Sequence, residues 1–299
     1  MKRKFSLLLL FIPFFHQTVF SKTQSAENTH SATAMVQDKS VPTGFIGQVL
    51  YISAADDTMI FVSSENIPAA IFISVFNAKT AKWSAPEQIV FSDEILKNKC
   101  PKVTAGKELF VALKNKKGKT DLYSFYYNNW KCSNLSKLNE NINTGNNEKS
   151  ACLSEDGNTL YFSSDRKGGK GGYDIYKSEK LENGGWGTAQ NLGGIINTKS
   201  DEDTPFILSD NVTLYFSSKA HSSIGGYDIF SSTLSEEGIW TAPESAGTSI
   251  NSKGDELCFY LTSNEKRGFY SSSDNSFSQT GLYIFESRNF QQELSIINQ

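Results

Sequence analysis

From Phe45 onward the chain alternates short apolar runs with clusters of Ser, Gly, Asn and Asp. The clearest run is Leu160-Tyr161-Phe162, entered from Thr159 and left through Ser163-Ser164; Thr213 to Ser218 repeats the same string. Aromatic, continuous and bounded by turn residues, such runs predict strands buried on both faces. A tight hairpin should precede each. Ser154-Glu155-Asp156-Gly157 and Ser209-Asp210-Asn211 place residues that tolerate positive φ ahead of the run. A basic loop follows, then Gly171-Gly172-Tyr173-Asp174-Ile175-Tyr176 and its counterpart Gly225-Gly226-Tyr227-Asp228-Ile229-Phe230. The glycine pair lets the chain re-enter the sheet where a Cβ would obstruct it.

Five copies of this unit can be superposed along the sequence. Their second strands end in Phe61-Val62-Ser63-Ser64, Leu109-Phe110-Val111, the two strings above, and Phe269-Tyr270-Ser271-Ser272. Their outer strands open with Trp83, Trp130, Trp186, Trp240 and, in the last copy, Phe290; the four tryptophans of the chain all fall here. Four-stranded units recurring about every fifty residues predict an all-β fold, a β-propeller of antiparallel blades. One such sheet cannot bury both its faces, so neighbours must stack around an axis and the ring must close. Five blades are expected, over about 45–92, 93–143, 148–197, 202–251 and 255–298, with six blades or a strand-swapped closure as alternatives. In the third, strands are expected near Ser150–Ser154, Thr159–Ser164, Tyr173–Ser178 and Trp186–Leu192, each indole packing on the next unit.

The ends change the picture. Met1-Lys2-Arg3-Lys4, an apolar stretch from Phe5 to Phe15 and Val19-Phe20-Ser21 read as a signal peptide over 1–21, and the polar residues 22–42 as a flexible leader to the propeller at 43–299. Export follows: periplasmic, cell-surface or secreted. No later segment has the length or apolarity of a transmembrane helix, which leaves peripheral association as the expected mode of any membrane contact. A net charge of −3 gives no reason to expect nucleic acid. Cys100, Cys132, Cys152 and Cys258 lack CxxC spacing. Cys132 and Cys152, on neighbouring expected strands, are candidates for pairing, and small buried hydrophobes are the other reading.

The third to fifth copies resemble the WD-like repeats of TolB-type β-propellers from the bacterial, Bacteroidetes-type, cell envelope. The residues that carry the resemblance are Ile142-Asn143-Thr144, Ile196-Asn197-Thr198 with Asp201-Glu202, Ile250-Asn251-Ser252 with Asp255-Glu256, and the Leu-Tyr-Phe-Ser-Ser and Gly-Gly-Tyr-Asp-Ile strings. It implies the propeller part of an OmpA-family envelope protein, serving an outer-membrane or secretion assembly through protein partners.

No cofactor or metal is expected, and no catalytic residue is assigned. Of the histidines, only His221 lies in the propeller, and it sits in a Ser-rich loop. The acidic residues recur at equivalent places, and a catalytic pair would break that symmetry, so Asp156-Gly157, Asp174 and Asp228 read as supports of turns and strand ends. Gly168 to Gly172 joins two strands without opening a helix, which excludes a phosphate-binding loop. Strand alternation puts the loop between second and third strands on the same face as the connector to the next blade. Arg166, Lys167, Lys170, Lys219 and His221 on the loops meet Glu148, Asp201, Glu202, Asp203, Asp255 and Glu256 on the connectors. These charges either pair between blades or form a docking face for a protein or glycan. The reading is an exported, non-catalytic interaction scaffold. Its rival is a glycan-binding protein or glycoside hydrolase with carboxylates converging at the channel.

Overall fold

The computed structural model describes residues 49–52, 58–63, 70–77, 79–80, 82–89, 107–128, 131–262, 267–273 and 281–286. The expected signal and leader, Cys100, Trp130 and Phe290 lie outside them, as does the side chain of Cys132. Among the described residues every regular element is a strand, arranged in five antiparallel sheets in chain order. The first holds β1 (Val49–Ile52), β2 (Thr58–Ser63), β3 (Ala70–Asn77), β4 (Lys82–Trp83) and β5 (Glu87–Ile89). The second holds β6 (Lys107–Lys114), β7 (Thr120–Asn128) and β8 (Lys131–Lys137). The two best-formed sheets are β9 (Glu148–Leu153), β10 (Thr159–Ser164), β11 (Asp174–Glu179), β12 (Gln190–Asn191), and β13 (Glu202–Ile207), β14 (Thr213–Ser218), β15 (Asp228–Thr233), β16 (Glu244–Ser245). The last is β17 (Glu256–Leu261), β18 (Arg267–Ser272) and β19 (Gly281–Glu286).

Five separate apolar cores lie between these sheets, and together they show that the ring closes. Ile60, Ile71 and Ile73 of the first blade meet Leu109, Val111 and Phe125 of the second. Phe110 and Leu122 meet Leu160, Phe162, Tyr176 and Trp186. Tyr161 and Ile175 meet Leu214, Phe216, Phe230 and Trp240. Tyr215 and Ile229 meet Phe259, Tyr270 and Phe285. The fifth core returns to the start, with Phe269 packed among Met59, Phe61, Phe72 and Trp83. Five sheets with five interfaces make a five-bladed ring. The period-2 geometry of a strand explains the aromatic strings: Leu160 and Phe162 face one core, Tyr161 the other.

The indoles pack on the preceding blade, the reverse of the expected direction. Trp186 meets the edge of Phe110 at 6.3 Å and Trp240 that of Tyr161 at 6.4 Å. The outer strand is also shorter than Trp186–Leu192. Trp186 makes an isolated bridge to Lys180, and regular pairing is confined to Gln190 and Asn191. Turning the indole inward, where it is 3% exposed, takes precedence over extending an edge ladder. The expected hairpin stands: Gly157 has φ 74°, and Asn211 takes the same place in the next blade with φ 59°. Asp156 accepts the Asn158 N–H and the Ser154 hydroxyl, which hold its carboxyl below the usual range.

Truncation of Trp240 to Ala should cost about 3–5 kcal/mol. Urea unfolding at matched denaturant slopes would measure it, and a loss near zero would deny the indole its part in joining the blades.

Candidate functional site

The three described connectors between blades are built from side chains that recur in each of them. Asn197 receives the Ile175 N–H at 2.8 Å and donates to the Ile175 carbonyl at 2.8 Å, completing the ladder of the preceding blade. Asn143 does the same for Leu122 and Asn251 for Ile229. Four residues beyond each Asn-Thr or Asn-Ser, a wholly buried glutamate takes a backbone N–H and two hydroxyls. Glu202 is bonded by the Thr198 N–H, the Thr198 hydroxyl and the Ser218 hydroxyl; Glu148 and Glu256 repeat the set. Burial pushes the Glu202 carboxyl up against those hydrogen bonds.

Asp174 and Asp228 close the long loops. Asp174 accepts the Lys170 and Gly171 N–H groups and the Asn191 amide, and Asp228 accepts the Ile224 N–H. Asp201 and Asp255 in turn receive the N–H of Tyr173 and Tyr227 from the blade before. The glycine pairs permit this approach. A Cβ on Gly171 would lie 1.9 Å from the Ser200 carbonyl oxygen and one on Gly226 2.0 Å from Asp255. The repeated acids therefore act as internal joints between neighbouring blades.

The five basic candidates share this face but are not equivalent. The guanidinium of Arg166 lies 4.8 Å from the ring centres of both Phe162 and Tyr176, donates to the carbonyls of Asn141 and Ile142, and reaches Glu148 at 3.5 Å. Burial lowers its pKa. His221 occupies the matching slot one blade on, with Nε2 2.8 Å from the Ile196 carbonyl and its ring edge-on to Phe216 and Phe230. Lys219 pairs with Asp201 at 2.9 Å over the Tyr227 ring. Lys167 and Lys170 stand exposed. Arg166 and Lys219 are thus absorbed by carboxylates at the start of their own blades, Arg166 and His221 also by carbonyls of the blade before, and Lys167 and Lys170 remain toward solvent.

Sequence reasoning missed a node where the inner strands break symmetry. Positions 149, 203 and 257 are equivalent, and they carry Lys, Asp and Leu. Lys149 pairs with the fully buried Asp203, whose other oxygen takes the hydroxyls of Ser150 at 2.7 Å and Ser163 at 2.6 Å. Tyr173 and Tyr227 flank the ammonium, their ring centres 5.1 and 5.8 Å away. Burial works against the charge of Lys149, but the Asp203 carboxylate outweighs it and the pKa is raised. Burial and the carboxylates of Asp203 and Asp201 push the Tyr227 hydroxyl far up. All three inner strands bulge here, and Thr204 (φ 46°) and Cys258 (φ 58°) take the left-handed conformation. For a β-branched threonine that is a strained geometry. The bulge is tied down from blade to blade, the Thr204 N–H donating to Ser150 Oγ and the Cys258 N–H to Thr204 Oγ1.

Towards the other face, the second halves of β9, β13 and β17 and the start of β6 bound a cavity of about 110 Å³. Its wall is largely apolar, and Glu108 and Glu155 are its carboxylates. Glu108 is paired with Lys180 at 3.2 Å. Cys152 and Cys258 both line it, and the expected pairing of Cys152 with Cys132 involves a side chain outside the described residues. Burial pushes the Cys258 thiol up to about 12, which keeps it protonated and inert. Among the described residues no His, Cys, Asp or Glu cluster has the makings of a metal site, and no helix is long and apolar enough to cross a membrane.

No protein-family model matches the chain, and no curated protein does. Solved structures with the same architecture include a thermostable family-43 glycoside hydrolase, at TM-score 0.52 and 12% identity over 82% of this chain and 90% of that one. An α-L-arabinofuranosidase from Lactobacillus brevis gives 0.49 and 12% over 84% and 94%, and TolB from Acinetobacter baumannii 0.43 and 15% over 82% and 55%. At these identities the shared property is the fold: the chain is a β-propeller with TolB-like and hydrolase-like neighbours.

Replacing Lys149 by Met should destabilise the protein by about 1–3 kcal/mol, since Asp203 stays buried while the lysine retained contact with water. A raised lysine pKa stabilises fully below the ordinary value of 10.5, and that contribution is lost as pH rises through the folded value. The difference between wild type and K149M in thermal unfolding should therefore shrink above pH 10.5. A constant difference at all pH values would refute the charge pairing.

Proposed function

We propose that the protein is an exported, non-catalytic propeller that serves the cell envelope as a scaffold, binding a protein partner through its connector face. The observation that carries this reading is the fate of the carboxylates. Glu148, Glu202 and Glu256 are buried and committed to backbone N–H groups and hydroxyls, Asp174 to two backbone N–H groups and the Asn191 amide, and Asp228 to one backbone N–H through a single oxygen, while Asp203 is neutralised by Lys149. A glycoside hydrolase needs one carboxyl to give a proton and another to attack or to activate water. Groups already spent on holding blades together are poorly placed for either task. The cavity, at about 110 Å³, is also well below the roughly 300 Å³ at which pockets begin to enclose a small-molecule ligand.

Lys167 and Lys170, exposed on a loop that Asp174 holds closed, are the residues through which the partner would be recognised. Arg166, Lys219 and His221 support the same surface from beneath. The resemblance of the repeats to those of TolB-type envelope propellers, together with the basic and apolar N-terminus, supports export and a place beside an outer-membrane or secretion assembly. The second reading, a glycan-binding protein or glycoside hydrolase, draws on the presence of Glu108 and Glu155 in one cavity.

Affinity capture from an envelope extract should recover a partner that Lys167→Glu with Lys170→Glu weakens by about tenfold. Chromogenic arabinosides, xylosides and other glycosides should be left intact by the purified protein. Turnover abolished by Glu108→Gln or Glu155→Gln would replace the scaffold reading with the enzymatic one.

A further inference from the structure

The loops and connectors on one side of the ring are laced into a single surface across the second, third and fourth blades. The turn 115–119 is closed by Asn115, whose side chain takes the N–H groups of Lys117 and Lys119. Thr120 N–H bonds Asn147 Oδ1 of the next connector, and Arg166 reaches back to the carbonyls of Asn141 and Ile142. Further round, Gly172 N–H bonds the Ser200 carbonyl, His221 the Ile196 carbonyl, and Gly226 N–H the Gly254 carbonyl. Such a surface is set before any partner arrives, so little is left to be ordered on binding.

Its charges are sorted by depth. Segments 115–119, 138–147, 165–173, 192–201, 219–227 and 246–255 carry eight lysines and one arginine against four acids, in a chain of net charge −3. Asp165, Asp201 and Asp255 are half-buried and receive the N–H groups of Asn147, Tyr173 and Tyr227. Glu140 is the one exposed acid of these segments. Lys116, Lys117, Lys167, Lys170, Lys199 and Lys253 are exposed, and none is paired with a carboxylate among the described residues. They run from the loop of the second blade to the connector that leaves the fourth.

Two aliphatic side chains stand among them. Ile195 is 41% exposed and Ile224 54%. Ile224 holds in the fourth blade the place of Lys170 in the third, its N–H bonded to Asp228 as that of Lys170 is to Asp174. Lys170 lies along the connector, its Nζ 3.1 Å from where a Cβ on Gly194 would stand, next to Ile195. These apolar positions bear on the class of occupant. A nucleic-acid backbone or an acidic glycan would leave both isoleucines unmatched. A bilayer surface favours exposed Trp and Tyr, and here Tyr173 and Tyr227 are half-buried and buried. Carboxylates interspersed with aliphatic side chains are what a polypeptide supplies.

We propose that the occupant of the connector face is an acidic polypeptide segment bearing aliphatic side chains, laid across the second, third and fourth blades. The inference rests on the connector-face reading and gives that partner its chemistry. Carboxylates of the segment would meet Lys116 and Lys117 at one end, Lys167 and Lys170 in the middle, and Lys199 and Lys253 at the other. Its aliphatic side chains would rest on Ile195 and Ile224.

The probe is a fluorescein-labelled peptide of glutamate and glycine with two leucines, followed by anisotropy against the full chain. Saturable binding is expected, weakened about tenfold when both leucines become serine and further by raising the salt. Lys116→Glu with Lys117→Glu, and separately Lys199→Glu with Lys253→Glu, should each weaken it on the order of tenfold. Ile224→Ser should weaken it about threefold, and Ile239→Ser, exposed on the far side of the ring, should not change it. Circular dichroism of each variant guards against misfolding, since all these positions are exposed. Absence of saturable binding, equal affinity for a lysine-for-glutamate peptide, or indifference to the leucines or to the second-blade lysines would each overturn the proposal. Phosphatidylglycerol vesicles or heparin bound through these lysines, where the peptide is not, would give the face to a lipid surface or an acidic glycan instead. A peptide that fails beside a captured partner released by Lys167→Glu with Lys170→Glu would sink this inference and leave the connector-face reading standing.

Discussion

The ring depends on asparagine and glutamate side chains that impersonate backbone. Between blades the chain must leave the outer edge of one sheet and return to the hub of the next. That path breaks the ladder and would leave the third strand of the second, third and fourth blades with one unmatched N–H and with a carbonyl that has a single backbone partner. Asn143, Asn197 and Asn251 satisfy both with one amide. Glu148, Glu202 and Glu256 then fasten the connector to the start of the inner strand. Because these groups are fully buried, each lost bond would cost the desolvation of its partner as well. The apolar cores decide that neighbouring sheets stack, and these polar joints decide how far each is turned from the last.

The same economy governs the charges. A row of acids and bases on one surface could be a docking face or internal bracing, and here the outcome differs from loop to loop. Arg166 and His221 differ in chemistry and in position by one residue, yet both end on an isoleucine carbonyl and between two aromatic rings. What the slot requires is a flat donor that fits beside two aromatic rings, and either side chain meets that need. Lys167 and Lys170 cannot enter such a slot from their positions and stay outside.

Strand pattern and turn chemistry were legible because they are local. Continuous burial along Thr159–Ser164, the Asp156-Gly157 turn and the recurring tryptophans all follow from residue type and spacing. The count of five blades was legible from the repeat and is settled by the core that joins Phe269 to Trp83. The direction of indole packing was not legible, since a tryptophan at a sheet edge suits either neighbour. Nor were the bulges. Thr204 is a residue that ordinarily avoids positive φ, and only contacts with Ser150, Ser217 and Cys258, remote in the chain, hold it there. Asp203 reads from the sequence as one more connector acid, and only the inner strands bring Lys149 to it. Symmetry makes Asp174 and Asp228 recognisable as supports, whereas the breakdown of symmetry at 149, 203 and 257 carries no such signal in residue type alone.

The seam between the first and last blades has a consequence for how the molecule comes together. Four of the five interfaces join segments adjacent in the chain, and their formation closes only modest loops. The fifth brings Trp83 and Met59 to Phe269, across almost the whole length of the propeller. Its closure entropy grows only as the logarithm of that separation, but it must be met before any of the seam's apolar contacts are gained. The ring should therefore assemble as an open arc and snap shut last. In the mature molecule the same seam is the place where the circle would first part.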